Sequence, residues 1–385
     1  MFLSFYYEPD LSAGSFRNTS LAKSLAMKIN GLAEIDVFTT IPNRYNSFQM
    51  DAPLTEKLGN LNITRIRIPK HRNGFFDQII SFLTYYRNVI RLTKDRSYDL
   101  IYASSSRLFT AYLGHKISKR NNTTFYVDVR DIFYDSMKDI LKKSPIKMVV
   151  LPTLKIVERW TFSNARHINL ISKGFETYFK PFTNSELSFF TNGIDDEFLN
   201  WNPPELPEKE RKTIMDAGNI GEGQGLHKLI PNLAKELDGK YDLIVIGDGG
   251  AKHKLIDELK KKKCTNVIIK PPVNRKQLRI EYENADFYLI HLNDYKAFKR
   301  VLPSKIFELA ALDRPIIAGV SGYPYDFLKE NVSNIILFKS CDVTDCIQKL
   351  QHYTYRSQKR ESFIEKYSRL KINNDMVDSI ISYLI

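Results

Sequence analysis

A short segment near the carboxyl-terminal end combines a helix start with side chains suited to binding a nucleotide. Pro303 and Ser304 are residue types that favour the first turn of a helix. Lys305 and Glu308 follow, and their spacing of three places both side chains on one face of that helix. A helix N-terminus attracts phosphate, and a carboxylate can accept hydrogen bonds from two ribose hydroxyls. The segment therefore predicts a site for a ligand that carries both groups; the alternative is a capped helix with a surface ion pair.

Glycines cluster at a second predicted strand–helix junction. Gly218, Gly221, Gly223 and Gly225 lie directly after a predicted strand and before a predicted helix. Backbone N–H groups in such a loop can cradle phosphate, and a flexible surface loop is the alternative. Gly247 ends the next predicted strand in the same way, within Gly-Asp-Gly-Gly. Two glycine-rich turns at equivalent strand ends favour the phosphate cradle.

Polar residues also follow two predicted strands of the first half. Gly14 lies in the loop after the first strand, and Arg17 stands one turn into the helix that follows, within reach of a phosphate or carboxylate. Asp128, Arg130 and Asp131 end another strand, where two carboxylates flanking an arginine would make a charged site. A plain strand-to-helix turn and a salt-bridged loop are the respective alternatives.

The spacing of the metal-binding residue types argues against a metal held by the protein. None of the seven histidines forms a His-x-x-His or His-Glu-x-x-His pattern, and Asp-x-Asp does not occur. The three cysteines, Cys264, Cys341 and Cys346, have no metal-ligand spacing and cannot all pair. We therefore expect no metal and no cofactor, and a reducing compartment such as the cytoplasm.

Length and composition fit a two-domain globular protein with a basic surface. The chain has 385 residues, 43% of them hydrophobic and 26% charged, and no apolar run is long enough to span a bilayer. The first residues resemble a strand and not a signal peptide. The formal net charge is +13, and residues 1–200 contribute 27 Lys and Arg against 19 Asp and Glu. This excess indicates a polyanionic partner: nucleic acid, anionic lipid or a phosphorylated substrate.

Strand-like and helix-like runs alternate along the whole chain, which predicts α/β domains with parallel sheets. The alternation restarts after a proline-rich linker at 200–208. We therefore predict two Rossmann-like doubly wound domains, 1–200 and 201–365, that face each other across a cleft. A carboxyl-terminal helix within 366–385 is expected to pack back on the first domain. Ligands of such folds bind at the carboxyl ends of the strands.

Four motifs, taken together and in their order along the chain, resemble the family 4 glycosyltransferases, retaining enzymes of GT-B fold. They are the Asn-Gly-Ile-Asp turn at 192–195, the glycine loop, Gly-Asp-Gly-Gly and the helix–strand segment 303–318. The resemblance extends to the branch that builds bacterial O-antigen and capsular polysaccharides, including N-acetylfucosamine-type transferases. It spans nearly the whole chain, is strongest over 213–320 and is weaker over 40–120. It implies a nucleotide-diphosphate sugar donor, UDP-linked, held mainly by the second domain with Glu308 on the ribose.

The resemblance also implies a set of site residues. We expect the catalytic region at Asp128, Arg130 and Asp131. The expected donor-binding residues are Gly14, Arg17, Gly218, Asn219, Gly221, Gln224, Gly247, Pro272, Val273, Arg300, Leu302, Pro303, Ser304, Lys305 and Glu308.

Three features depart from the family pattern. Arg300 stands at the first position of the frequent Glu-x7-Glu pair, whose second member matches Glu308. Asn219 and Gln224 replace the Arg and Lys that many members carry in the glycine loop. The region of Asp128 holds no histidine, although many members place a catalytic one there. Lys305 and Arg300 are therefore expected to supply positive charge to the diphosphate.

A basic segment of the first half interleaves lysines with aliphatic residues. Residues 138–159 contain Lys138, Lys142, Lys143, Lys147, Lys155 and Arg159 among apolar side chains. Such a composition suits a segment that lies on an anionic membrane, and equally a helix packed on the core with its lysines in water. Residues 75–94, rich in aromatic side chains, form a second candidate.

These observations predict a retaining glycosyltransferase that acts on a polyprenyl-diphosphate-linked acceptor at the inner face of the plasma membrane. The alternatives are a nucleotide-sugar 2-epimerase of the same architecture, a basic nucleic-acid-binding protein and a non-catalytic scaffold. No nucleic-acid recognition module is visible, and the positive charge is spread over both halves, so we expect no nucleic-acid partner.

Overall fold

A computed structural model describes residues 1–43, 50–69, 75–105, 107–142, 144–182, 184–199, 201 and 204–384, with the backbone alone at 75, 76 and 78. The chain divides into two compact units. The first comprises Met1–Asn192 together with Leu370–Ile385, and the second comprises Gly193–Arg369. The sequence placed the corresponding boundaries at 200 and 365.

The first unit alternates strands and helices. Its elements are β1 (Phe2–Leu3), α1 (Ala13–Lys28), β2 (Ile35–Thr40), β3 (Thr55–Leu58), β4 (Leu61–Ile66), α2 (Phe75–Leu92), β5 (Leu100–Ser104), α3 (Leu108–Asn121), β6 (Thr124–Val129), α4 (Phe133–Ile140), α5 (Lys147–Phe162), β7 (His167–Leu170), α6 (Glu176–Phe179) and β8 (Glu186–Ser188).

These strands form one sheet in the order β3-β4-β2-β1-β5-β6-β7-β8. Every neighbouring pair is parallel except β3 with β4, which is antiparallel. The strand order reverses between β1 and β5. Such a reversal opens a crevice at the carboxyl ends of the strands.

The second unit repeats this pattern. Its elements are α7 (Asp196–Leu199), β9 (Lys212–Asn219), α8 (Leu226–Glu236), β10 (Tyr241–Asp248), α9 (Lys252–Lys262), β11 (Val267–Lys270), α10 (Arg275–Glu283), β12 (Phe287–His291), α11 (Lys305–Ala310), β13 (Ile316–Gly319), α12 (Tyr323–Asn331), β14 (Ile335–Phe338), α13 (Val343–Gln351) and α14 (Glu361–Lys366). The final helix, α15 (Arg369–Ile381), returns the chain to the first unit.

The second sheet is parallel throughout, in the order β11-β10-β9-β12-β13-β14. This is the Rossmann order, with its reversal between β9 and β12. The α/β, Rossmann-like fold class predicted from the sequence is confirmed for both units.

Each unit has its own hydrophobic core. In the first, side chains of α1 and the central strands pack with Met376, Val377 and Ile380 of α15. In the second, α8 and α9 pack against β9, β10 and β12. These three apolar side chains of α15 are part of the first core, which explains why the last residues belong to the first unit.

Several sequence predictions differ from the structure at element ends. The strand expected at the first residues pairs only over Phe2–Leu3. The first helix begins at Ala13 because the Ser12 side chain accepts from the Ser15 N–H, so the expected loop is shorter. β3 and β8 were not predicted; both lie at sheet edges and contain no fully buried residue, so they lack a buried apolar pattern.

Within the described part of the chain, no helix has the length and apolar character needed to cross a membrane.

Candidate functional site

Two glycines let the carboxyl ends of β9 and β10 approach each other closely. A Cβ at Gly247, which has a φ of 149°, would lie 1.8 Å from the carbonyl oxygen of Gly218. A Cβ at Gly249 would lie 2.6 Å from the carbonyl oxygen of Ile220. Gly247 is therefore required by packing between two strand ends, which is a different reason from the predicted donor contact.

The loop between β9 and α8 is closed by its own side chains. Gln224 Oε1 accepts from Asn219 Nδ2 at 2.9 Å and from the Gly221 N–H at 3.3 Å. Gly225, with a φ of 60°, then starts α8. Asn219 and Gln224 thus hold the shape of the glycine loop at the positions where many family members carry cationic side chains.

Lys305 brings a positive charge to this loop. Its Nζ lies 2.8 Å from Asp216 Oδ2, and the Asp216 side chain is buried within β9, two residues before Gly218. A Cβ at Gly218 would lie 3.5 Å from Lys305 Cε. Asp216 therefore holds the ammonium beside the first glycine of the loop, and the surface ion pair between Lys305 and Glu308 that the sequence left open is not formed.

Glu308 lies on the same short helix but has different partners. Its Oε1 accepts from the Tyr282 hydroxyl at 3.0 Å, and Tyr282 is 2% exposed. Burial raises the pKa of the Glu308 carboxyl, although the Arg275 guanidinium acts in the opposite direction. Because Tyr282 fixes one oxygen, the carboxylate is oriented in advance and its Oε2 can accept from a ligand hydroxyl.

The start of α11 differs from the sequence prediction. Ser304 has helical backbone angles and its side chain does not cap the helix, so the predicted hydroxyl cap is wrong. Leu302 is 2% exposed, so its side chain belongs to the core, and contact of its backbone with a donor stays a prediction. Other predicted donor residues lie half-buried in loops, where contact with a ligand stays a prediction: Pro272 and Val273 between β11 and α10, and Arg300 and Pro303 before α11.

The Asn-Gly-Ile-Asp turn joins this region through its acidic residue. Arg275 Nη2 donates to Asp195 Oδ2 at 2.7 Å, and its Nε pairs with Glu197. Arg369 also pairs with Asp195 and donates to the Gly193 carbonyl at 2.9 Å. Asp195 is therefore an anchor for two arginines, one of them at the start of α10 near Glu308.

The first unit assigns Arg17 a role other than the predicted donor contact. Arg17 Nε and Nη2 donate to the two carboxylate oxygens of Asp128 at 3.0 and 3.1 Å, and both residues are 0% exposed. Arg17 also donates to the Thr191 and Phe190 carbonyls. Burial would raise the pKa of Asp128, but Arg17 outweighs it and keeps that pKa below its usual range. The pair ties α1 to β6 inside the unit, so neither residue can reach a ligand.

Gly14 lies buried in the first turn of α1 and not in a loop, and its contact with a donor stays a prediction. Asp131 and Arg130 are half-buried at the end of β6. The Oδ1 atom of Asp131 is inaccessible and has no hydrogen-bond partner in the described part of the chain. Burial raises the pKa of Asp131 to about 7, against the influence of Arg130. Of the three predicted catalytic residues, Asp131 and Arg130 thus keep a placement at a strand end that fits the prediction.

Sequence reasoning missed three residues that support the site. Tyr282 orients Glu308, and His291 and Asn293 contact the glycine loop from the end of β12. A signal existed for the last two: both follow a buried strand beside the reversal of strand order, where ligands of this fold bind. Among the described residues, no group of three or more His, Cys, Asp or Glu side chains is placed to hold a metal ion.

Comparison with known proteins shows which family part of this chain matches. Residues 198–369 match the family described as "Glycosyl transferases group 1". The matched residues lie within the second unit. The match covers the glycine loop, Lys305 and Glu308. No curated protein matches the chain.

Solved structures share the fold over the whole chain at low identity. Anabaena Alr3699/HepE in complex with UDP and glucose is 13% identical, with a TM-score of 0.67, over 99% of this chain and 98% of that chain. The trehalose-6-phosphate synthase OtsA has a TM-score of 0.69 at 13% identity, with 98% of each chain covered. The lipopolysaccharide outer core galactosyltransferase WaaB has a TM-score of 0.61 at 14% identity, over 98% of this chain and 99% of that chain. At these identities the likeness shows the GT-B fold alone.

Proposed function

We propose that the protein is a retaining glycosyltransferase that moves a sugar from a nucleotide-diphosphate donor, UDP-linked, to a lipid-linked saccharide in bacterial surface polysaccharide synthesis. The observation that carries the proposal is the placement of a glycine loop, Lys305 and the oriented Glu308 carboxylate within the residues that match the group 1 family. Backbone N–H groups and an ammonium suit the diphosphate, and a carboxylate suits the ribose hydroxyls. UDP in the HepE complex and the lipopolysaccharide named for WaaB support the donor and the acceptor class.

The protein's part in the reaction is positioning and charge stabilisation. Departure of the nucleoside diphosphate leaves negative charge on its terminal phosphate, which the loop N–H groups and Lys305 stabilise. Retention is expected through attack on the face that the leaving group vacates, with the donor phosphate taking the acceptor proton. Asp131 and Arg130 are the first unit's candidates for contact with the acceptor.

Exposed apolar side chains of α5 suit contact with a lipid surface. Met148, Ile156 and Trp160 are 75%, 50% and 54% exposed, and their spacing places them along one face of the helix. Val149 and Ile140 are 70% and 61% exposed close by. This exposure is unusual for a helix that packs only on a core, and it favours the membrane alternative for residues 138–159.

Residues 138–159 also present basic side chains, although fewer than the sequence suggested. Lys138, Lys142 and Arg159 are exposed, and Lys147 is half-buried. Lys155 is bonded to Glu158 and Tyr178, so it serves the fold, and Lys143 lies outside the described residues. In the second candidate segment, Phe82 and Tyr85 are buried, but Ile79, Ile80 and Leu83 are exposed. Exposed basic and apolar side chains in one segment complement an anionic bilayer, where each Lys or Arg contributes about 1 kcal/mol.

Donor binding is the first test. UDP-, GDP- and dTDP-sugars should be screened for a rise in melting temperature, because a ligand that binds the native state stabilises it by mass action. The best donor is then incubated with a polyprenyl-diphosphate-linked saccharide, and the anomeric configuration of the product is read by NMR. We expect transfer with retention. Conversion of the donor without acceptor would identify an epimerase, and the absence of any donor shift would reject the proposal.

Membrane contact can be read from Trp160. The chain has two tryptophans, and Trp201 is 8% exposed, so a change in the tryptophan fluorescence emission spectrum on vesicle binding reports mainly on Trp160. We expect a blue shift with vesicles that contain phosphatidylglycerol and none with pure phosphatidylcholine. Lys138→Glu with Lys142→Glu should abolish the shift, and Lys260→Glu with Lys261→Glu on α9 is the matched control. An unchanged spectrum of the wild-type protein would make α5 a purely structural helix.

A further inference from the structure

Three successive carbonyl groups of the glycine loop are held by residues at the end of β12. The Glu222 carbonyl accepts from Asn293 Nδ2 at 2.8 Å, and the Gly223 carbonyl accepts from the Asn293 backbone N–H at 2.8 Å. The Gln224 carbonyl lies 2.6 Å from His291 Nδ1. His291 and Asn293 are 2% and 1% exposed. The loop is thus fixed from one side by two buried polar side chains.

The partners of His291 define which ring nitrogen carries the proton. A carbonyl oxygen can only accept, so Nδ1 donates to Gln224. Nε2 is the acceptor for the Cys341 N–H at 3.0 Å. Burial lowers the pKa of His291 to about 4, so the ring is neutral at ordinary pH. The imidazole therefore joins the loop after β9 to the segment after β14 through one defined tautomer.

The direction of these carbonyls decides where the loop N–H groups point. In a trans peptide the C=O and the following N–H lie on opposite sides. Because the carbonyls of Glu222, Gly223 and Gln224 face β12, the N–H groups of the next residues point away from it. The Gln224 and Gly225 N–H groups donate to the Gly221 carbonyl at 3.3 and 3.4 Å and so close the loop, whereas the Gly223 N–H faces the edge that an anion would meet at the reversal of strand order between β9 and β12.

We propose that His291 and Asn293 are positioning residues that hold the glycine loop in the conformation that binds the donor diphosphate. The inference rests on the proposed function, since it assigns the loop to the diphosphate. A loop that is fixed before binding loses less conformational entropy when the donor binds. Loss of the hydrogen bonds from His291 and Asn293 should therefore weaken donor binding and leave acceptor binding unchanged. Asn293 Oδ1 also accepts from Lys228 Nζ at 2.8 Å, which ties the first turn of α8 to the same clamp.

A matched pair of substitutions separates the two hydrogen bonds of His291. His291→Asn can keep a donor near the Nδ1 position for the Gln224 carbonyl, whereas His291→Gln can keep an acceptor near the Nε2 position for Cys341. We expect His291→Gln to raise the donor KM about 10-fold, the effect of one lost hydrogen bond, with kcat and acceptor KM changed less than about twofold. His291→Asn should restore the donor KM to within about twofold of wild type.

A second substitution tests Asn293 without changing its shape. Asn293→Asp removes the amide that donates to the Glu222 carbonyl but keeps an oxygen for Lys228. We expect it to raise the donor KM in the same way as His291→Gln. Hydrogen exchange of the amides of 222–225, measured without ligand, should be faster in both variants than in His291→Asn.

The outcomes distinguish this inference from the proposed function. If UDP and the sugar donors fail to bind the wild-type protein, both fall. If they bind wild type, His291→Gln and Asn293→Asp equally well, the clamp has no role in donor binding while the proposed function stands. If His291→Asn and His291→Gln lose donor affinity and melting temperature in parallel, the ring is only a packing element and the inference is wrong.

Discussion

At the scale of single residues, the candidate site depends on two charged side chains that a buried neighbour holds in position. Lys305 is held by Asp216, and Glu308 is oriented by Tyr282. In each case a buried group positions a more accessible one, which reduces the freedom that the accessible side chain must lose when a ligand binds. The two chemical groups that a nucleotide requires are thus presented by one short helix.

Glu308→Gln should weaken donor binding while the fold is kept. The amide has the shape of the carboxylate but loses the charge-assisted hydrogen bonds to ribose, which corresponds to roughly 1.5–3 kcal/mol or about 10- to 100-fold in dissociation constant. Titration calorimetry with UDP measures the change, and Glu281→Gln on α10 serves as a control. Unchanged donor affinity in a folded Glu308→Gln variant would remove Glu308 from the site.

Asp131 should make the protein less stable as the pH rises. Its folded-state pKa is about 7 against an ordinary value of 3.8, so between these values the folded state holds a proton that the unfolded state has released. Stability from this group is therefore complete below about pH 4 and is lost as the pH rises through about 7. Asp131→Asn removes this dependence, and the difference in free energy of unfolding between wild type and variant should change by at least about 1 kcal/mol between pH 5 and pH 8.

Urea unfolding at several pH values measures this difference. Parallel pH profiles for the two proteins would show that Asp131 is solvated in solution. The kcat of the same variant tests the catalytic role, which remains a prediction.

At the scale of elements, glycines control how closely two strand ends approach. Gly247 leaves room for the Gly218 carbonyl, and this contact sets where the loop after β9 begins. The clamp from β12 then fixes the far side of that loop. Three neighbouring strands, β10, β9 and β12, therefore shape one loop together.

Gly247→Ala should destabilise the second unit strongly. A Cβ would lie 1.8 Å from a backbone oxygen at a φ of 149°, so the backbone has to move, at a cost of about 2–5 kcal/mol. Gly250→Ala is the matched control, because a Cβ there meets no atom within 4 Å. Thermal unfolding compares the two. Equal melting temperatures would mean that the strand ends separate easily.

At the scale of the whole molecule, positive charge has two separate uses. Lys305 is assigned to the candidate donor site, and the basic side chains of residues 138–159 are assigned to the proposed contact with anionic lipid. The net charge of +13 therefore does not require a nucleic-acid partner, which the sequence also disfavoured.

Transfer is expected to proceed without a divalent cation. The glycine loop N–H groups and Lys305 supply the positive potential for the leaving diphosphate, the role that a metal ion fills in other transferases. Activity should stay within about twofold after EDTA treatment and gel filtration, and Lys305→Ala should reduce kcat far more than EDTA does. Loss of activity with EDTA and its return with Mn²⁺ or Mg²⁺ would contradict this.

The sequence by itself determined the α/β class, the glycine loop and the short helix that carries Lys305 and Glu308. These features depend on periodicity and on residue types close in the chain, where strand, turn and helix preferences act. The likeness of 303–318 to known transferases likewise lies within one continuous stretch.

Only the tertiary structure decided which partner each polar side chain takes. Arg17 and Asp128 are 111 residues apart, Lys305 and Asp216 are 89 apart, and His291 and Gln224 are 67 apart. An arginine after a strand can bind phosphate or a buried carboxylate, and local sequence favours neither. The choice follows from sheet order, because the strand reversal brings β12 beside β9 and the parallel order brings β6 near α1, and a buried charge then binds the nearest opposite charge.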